Sequence, residues 1–156
     1  MRVGAALYGW RVQPFLHDFG WVAQIERDEV PGLSRDVPDT ITEIQEGWRA
    51  FEAAFDSLHG RHMFGLVYPA QGIYRLCSQR LDRDADNPLG LDETVIPAGP
   101  YLRLRLLGDP PAIYARIGSA FEALLEYAEP DPGRPLVEYY RREDQVDCLL
   151  PLTHRR

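Results

Sequence analysis

Two stretches of helical periodicity, each followed by a pair of short strand-like segments, constrain this chain more than any other feature. From Thr40 to Leu58 the residues Ile41, Ile44, Trp48, Phe51, Ala54, Phe55 and Leu58 recur at three- and four-residue spacing behind an Asp39/Thr40 start signal, and Gly60 is placed to end the helix. From about Pro111 to Ala128 the stripe is Ile113, Ile117, Phe121, Leu124 and Leu125, with Pro110-Pro111 suited to the first turn and Pro130-Asp-Pro-Gly133 to the stop. An amphipathic helix must bury its stripe against another layer, and strands follow each one. They are Met63 to Tyr68 with Gly72 to Ser78, and Pro135 to Tyr140 with Gln145 to Leu150, each pair joined by a short turn.

Ahead of the second helix, Thr94 to Ile96 and Tyr101 to Leu107 read as another hairpin across Pro97-Ala-Gly-Pro100, with Leu102, Leu104 and Leu106 alternating against Tyr101, Arg103 and Arg105. Leu81 to Leu91 has the Asp, Asn, Pro and Gly content of a connecting loop. Trp48 superposes on Phe121, Phe51 on Leu124 and, after a shortened turn, Cys77 on Cys148. The expectation is an α+β fold in which a duplicated strand-helix-hairpin unit forms one antiparallel sheet with two helices on one face. The 156 residues make one domain, 1–156, with pseudo-repeats at about 20–80 and 91–152.

A formal net charge of -7 provides no footprint for phosphate backbones and favours organic cations, so no direct nucleic-acid partner is expected. No run of about 18 apolar residues occurs and the N-terminus has no convincing cleavage site, so the expected protein is cytoplasmic, with no membrane partner. Cys77 and Cys148 belong to no Cys-x-x-Cys pair and read as buried free thiols. His59 and His62 lack a third ligand, His17-Asp18 and His154 belong to no catalytic triad pattern, and no Gly-rich phosphate loop is present. Neither metal nor cofactor is expected.

Arg134-Pro-Leu-Val-Glu138-Tyr-Tyr140, followed by Val146-Asp-Cys-Leu-Leu-Pro151, resembles the C-terminal signature of GyrI-like small-molecule-binding domains, and Ile96-Pro-Ala-Gly99-Pro-Tyr101 is similar to the segment that enters their second repeat. The likeness covers Leu91 to Leu152 well and Thr40 to Ser78 more loosely. It implies the duplicated SOUL/GyrI-like fold of the effector-binding domains of multidrug-sensing regulators and of stand-alone gyrase-inhibitory proteins, which take bulky, planar, often cationic molecules. The chain departs from the regulators in showing no pair of amphipathic helices for DNA binding in its first forty residues.

On the residues alone, Glu138 in LVEYY is either the solvated side of an edge strand or a pocket carboxylate sharing a face with Leu136 and Tyr140. The resemblance favours the pocket. The expected ligand-binding residues are Glu138 as counter-charge and Tyr140, Tyr68 and Trp48 as aromatic walls, drawn from an inventory that also holds Tyr74, Tyr101, Tyr139, Trp10 and Trp21. In the first repeat, Gly65 or Leu66 stands where Glu138 would be expected. Two alternatives stay open. Some relatives hydrolyse strained cyclopropanes of alkylating natural products, which would make Glu138 a general base and Tyr140 a proton donor. Other relatives restrain gyrase, which would make a protein the partner.

Overall fold

The computed structural model describes residues 13–153; Trp10 and His154 lie outside the described residues. Among the described residues nine strands and two α-helices follow one another as β1 (Phe15–His17), β2 (Gly20–Arg27), β3 (Val30–Pro38), α1 (Ile41–Ala53), β4 (Met63–Tyr68), β5 (Ile73–Gln79), β6 (Asp92–Ile96), β7 (Gly99–Leu107), α2 (Ile117–Leu125), β8 (Leu136–Arg142) and β9 (Gln145–Pro151). The strands form one sheet in the order β1-β2-β7-β9-β8-β4-β5-β3-β6, antiparallel throughout. From β2 to β6 this order is symmetric about the boundary between β8 and β4: each strand of the first half has its counterpart at the same distance across that line.

The β6–β7 segment is not the hairpin expected from sequence. β6 pairs with β3, whereas β7 pairs with β2. Arg27 faces Gly99 and Val30 faces Ile96, so the pairing resumes in the same register on the far side of Asp28-Glu29 and Pro97-Ala98. β2–β3 and β6–β7 are thus one long ribbon, bent at those two links, whose halves flank opposite ends of the central four strands. The bend curls the sheet. Ile96 and Tyr101, from opposite halves of the strand order, join Phe64, Leu66, Cys77, Val137 and Leu149 in one buried cluster on the face away from the helices. Adjacency in sequence suggested a hairpin because Pro97-Ala-Gly-Pro100 has turn composition; proline has no N–H for a ladder and equally well marks a bend.

Both helices pack on the other face. The α1 stripe, with Ile44, Trp48, Phe51 and then Phe55, covers Leu33, Tyr74 and Leu76; α2, with Ile117, Ala120, Phe121 and Leu124, covers Leu102, Leu104, Leu106, Val146, Cys148 and Leu150. Thr40 caps α1 by accepting from the Glu43 N–H at 3.4 Å. The helix stops at Ala53, short of the expected Leu58, because Phe55 folds back onto Phe51 with ring centroids 5.1 Å apart and is covered by the Arg61 guanidinium at 4.1 Å. The second helix is also shorter than its periodicity suggested. Pro110-Pro111 is a cis peptide, a 3-10 turn spans Tyr114–Arg116, and regular helix begins at Ile117 without a side-chain cap.

Cys77 and Cys148 are both buried and unpaired, but they do not superpose. Cys77 faces away from the helices, whereas Cys148 faces α2. Leu76, which faces α1, holds the place that corresponds to Cys148. The Leu81–Leu91 loop is tied down by a bidentate pair in which Arg61 donates to Asp84 at 2.7 and 2.6 Å. Both side chains are almost fully buried, and the guanidinium holds the Asp84 carboxyl below the usual carboxylate range. No helix among the described residues is long and apolar enough to cross a membrane.

Candidate functional site

α1 packs on β3 and β5, and α2 on β7 and β9, so the two central strands β4 and β8 form the floor of a seam between the helices. Gly65 and Glu138 face each other across that floor as ladder partners. They sit on the axis that relates the two halves. Of the two positions weighed for the counterpart of Glu138, Gly65 is the one on the helix face, since Leu66 belongs to the buried cluster on the opposite side.

The missing side chain at Gly65 makes room for the site. Tyr74, on the neighbouring β5, reaches across it and donates to Glu138 Oε1 at 2.7 Å, and Tyr140 Oη donates to the same oxygen at 2.6 Å. A Cβ at position 65 would lie 2.0 Å from Tyr74 Oη and 3.0 Å from Glu138 Oε1. Trp48 Nε1 donates to Tyr74 Oη at 3.2 Å, and its indole meets the Tyr140 ring edge-on with centroids 5.4 Å apart. Tyr114, on the turn leading into α2, also meets the Tyr140 ring edge-on, with centroids 6.0 Å apart, and is 45% exposed. Tyr140 is therefore held between the two helical elements.

Glu138 is 8% exposed and Tyr74 2%. Among the described residues no arginine or histidine pairs with Glu138, and its hydrogen-bond partners are the two phenols, both at Oε1. Burial raises its pKa, opposed by the hydrogen bonds from Tyr140 and Tyr74, with the charge of Asp39 adding to the rise. Burial and then the negative charge of Glu138 push both phenols well above the ordinary tyrosine range. The tyrosines are thus fixed as donors. The arrangement holds a carboxylate in an aromatic setting with no cation from the described residues beside it, and a buried charge without such a partner costs folding free energy.

Trp48, Glu138 and Tyr140 come together as the sequence suggested, but Tyr68 does not join them. It lies an odd number of residues from Gly65, so the alternation of β4 turns it to the opposite face, where Arg75 donates to its hydroxyl at 3.2 Å and stacks over its ring at 4.8 Å. Its place is taken by Tyr74, one of the wider aromatic inventory of the sequence. The alternation of Tyr74 and Leu76 in β5, set against the helix stripe, is the signal that identifies it. Arg134 of the Arg-Pro motif is a structural tie: it donates to the carbonyls of Leu152 at 2.7 Å and Pro100 at 3.0 Å, fixing the start of β8 against β7 and β9. His62 shares a hydrogen bond with Tyr139 at 3.1 Å.

No protein-family model matches the chain, and no curated protein matches it in sequence. Among solved structures it is similar to the integron cassette protein VCH_CASS2 from the mobile metagenome of Vibrio cholerae, with a TM-score of 0.67 and 16% identity over 85% of this chain and 95% of that one. It is also similar to SAV2435 bound to tetraphenylphosphonium, with a TM-score of 0.61 and 10% identity over 85% and 93% of the two chains. The C-terminal domain of EcmrR matches with a TM-score of 0.55 and 13% identity over 85% and 96%. At these identities the likeness is one of fold.

Proposed function

From its GyrI-like fold and the buried carboxylate at the seam, we propose that this protein captures bulky lipophilic aromatic cations between α1 and α2. Glu138 is the counter-charge, and Trp48, Tyr74 and Tyr140 are the walls. The observation that carries the reading is the state of Glu138: it is more than nine-tenths buried, has no cationic partner among the described residues, and is ringed by aromatic edges. A lipophilic cation supplies the missing charge without needing hydrogen bonds, and each desolvated aromatic face adds on the order of 1–2 kcal/mol through its quadrupole. SAV2435, of the same fold, was solved with a ligand of this kind.

The test is a titration followed by tryptophan fluorescence, using tetraphenylphosphonium and neutral triphenylphosphine oxide. The expected result is saturable binding of the cation, weakened at least about tenfold, or 1.4 kcal/mol, by Glu138→Gln, with the neutral compound indifferent to the substitution. Equal loss for both compounds would remove Glu138 from the counter-charge role.

A second reading, hydrolysis of a strained electrophilic ring, is favoured by the raised pKa of Glu138 and the phenol of Tyr140 at 2.6 Å from its carboxylate. Glu138 would take a proton from water as the oxygen adds to a ring carbon and the strained carbon–carbon bond breaks, and Tyr140 would protonate the carbon that leaves and recover its proton from Glu138. Turnover of a cyclopropane-bearing alkylating compound beyond one equivalent supports it; protection that stops at one equivalent leaves capture alone.

A further inference from the structure

The sheet face opposite the helices carries a charge imbalance that the cation site does not use. Alternation along β7 sends Leu102, Leu104 and Leu106 to the helices and Arg103 and Arg105 the other way. Arg103 is partly buried, and its Nε is fully buried with no hydrogen-bond partner among the described residues. Its ladder neighbours, Ala23 on β2 and Leu149 on β9, offer no side-chain acceptor. The acidic residue near it, Asp147, is already committed: it accepts from Arg105 Nε at 2.8 Å, Arg105 Nη2 at 3.1 Å and Gln145 Nε2 at 3.5 Å.

Arg141 adds a further positive charge. It is the extra residue where the β8–β9 register shifts between Tyr140 and Arg142, a bulge of the kind that re-aims a side chain. Burial first, and then the charges of Arg105 and Arg141, hold the Arg103 pKa below its ordinary value despite Asp147. Arg103 and Arg105 thus stand two residues apart on one face of β7, with the one nearby carboxylate, Asp147, paired to Arg105, and the exposed Arg141 adds like charge to them, although the chain as a whole is acidic. Trp21, across the ladder from Arg105, is 54% exposed and provides an apolar surface beside the charges.

We propose that Arg103, Arg105 and Arg141 form a receptor for the oxyanion, carboxylate or phosphate, of a small molecule whose body rests against Trp21. Arg103 is the centre: its Nε is enclosed, but the two terminal nitrogens of its planar fork carry no hydrogen-bond partner among the described residues and match two oxygens of one anion. Arg105 is held in place by Asp147, and Arg141 closes the outer side. A site of this kind is independent of Glu138, which lies on the other face of the sheet.

Calorimetric titration of the whole protein with sodium benzoate and with inorganic phosphate, at ionic strength fixed by sodium chloride, tests it. Saturable binding of at least one probe is expected, weakened at least about tenfold by Arg103→Gln and by Arg141→Gln, since a hydrogen bond to a charged group carries about that much. Preference for benzoate identifies a carboxylate ligand resting on Trp21; preference for phosphate identifies a phosphate ester. Cooperative thermal unfolding of each variant checks its fold, and the exposed Arg141 keeps the test open if Arg103→Gln does not fold. Failure of both probes to saturate, or unchanged binding in the folded variants, overturns the proposal.

Discussion

Gly65→Ala is the smallest change that reaches the centre of the site. The added Cβ would stand 2.0 Å from Tyr74 Oη and 2.5 Å from its Cζ. Such a clash is cheap when the obstructing atom ends a mobile side chain, but Tyr74 is 2% exposed, accepts from Trp48 and donates to Glu138. Overpacking of this kind costs about 1–3 kcal/mol. Displacing the phenol from the carboxylate adds about 1.5–3 kcal/mol, since hydrogen bonds to charged groups are the stronger ones. Replacing glycine in a strand returns roughly 0.5–1 kcal/mol. The net expectation is a loss of about 2–5 kcal/mol; near the middle of that range, a protein of this size should melt roughly 7–14 °C lower. Thermal denaturation at pH 7 measures it, and a double-mutant cycle with Tyr74→Leu assigns it. In the Tyr74→Leu background, Gly65→Ala should cost less than about 1 kcal/mol. A Gly65→Ala protein as stable as wild type, or an equal cost in both backgrounds, refutes the reasoning.

Three further outcomes follow from the same geometry. The folded-state pKa of Glu138 is raised, so its contribution to stability is fully present below the unfolded value of about 4.5 and is lost as pH rises through the folded pKa; ligand-free Glu138→Gln should therefore melt above wild type at pH 7–8, with the gain vanishing in acid, and a lower melting temperature at neutral pH contradicts this. Tyr68→Phe should leave tetraphenylphosphonium affinity within about twofold of wild type, whereas Trp48→Leu should weaken it about fivefold or more by removing a wall; fluorescence-independent calorimetry compares them, and the reverse ranking would move the site to the other face. Arg61→Met leaves Asp84 buried and unpaired and should cost about 3–5 kcal/mol in chemical denaturation. Because the folded pKa of Asp84 is depressed, its stabilisation in wild type is present above its unfolded value and is lost as pH falls through the folded one, so the difference between the two proteins should shrink in acid.

What could be read in the sequence divides along the range of each signal. Periodicities are local, and they placed α1, α2 and the β4–β5 and β8–β9 hairpins, and put Glu138 and Tyr140 on one face. Strand partnership is not local. The bend at Pro97-Ala98 has the composition of a turn, and only the register that continues from Arg27–Gly99 to Val30–Ile96 distinguishes a bent ribbon from a hairpin. Tyr68 and Cys77 went astray through parity: each was matched by position along a repeat, and a one-residue difference in a strand moves a side chain to the other face. The first repeat's contribution to the site was hidden because its decisive residue is a glycine. Gly65 has no chemistry of its own, and its meaning appears only when Tyr74 is seen to occupy the space above it.

In the proposed site Glu138 meets the ligand as a charge, and a carboxyl-selective carbon-13 titration of that residue reads this most directly. A ligand that binds the ionised form better must, by linkage, lower the pKa of the group it contacts and bind more tightly as pH rises through it. On this account, saturating tetraphenylphosphonium brings the raised Glu138 pKa down, and neutral triphenylphosphine oxide does not. A Glu138 pKa that stays where it was, or rises, when the cation binds would contradict it.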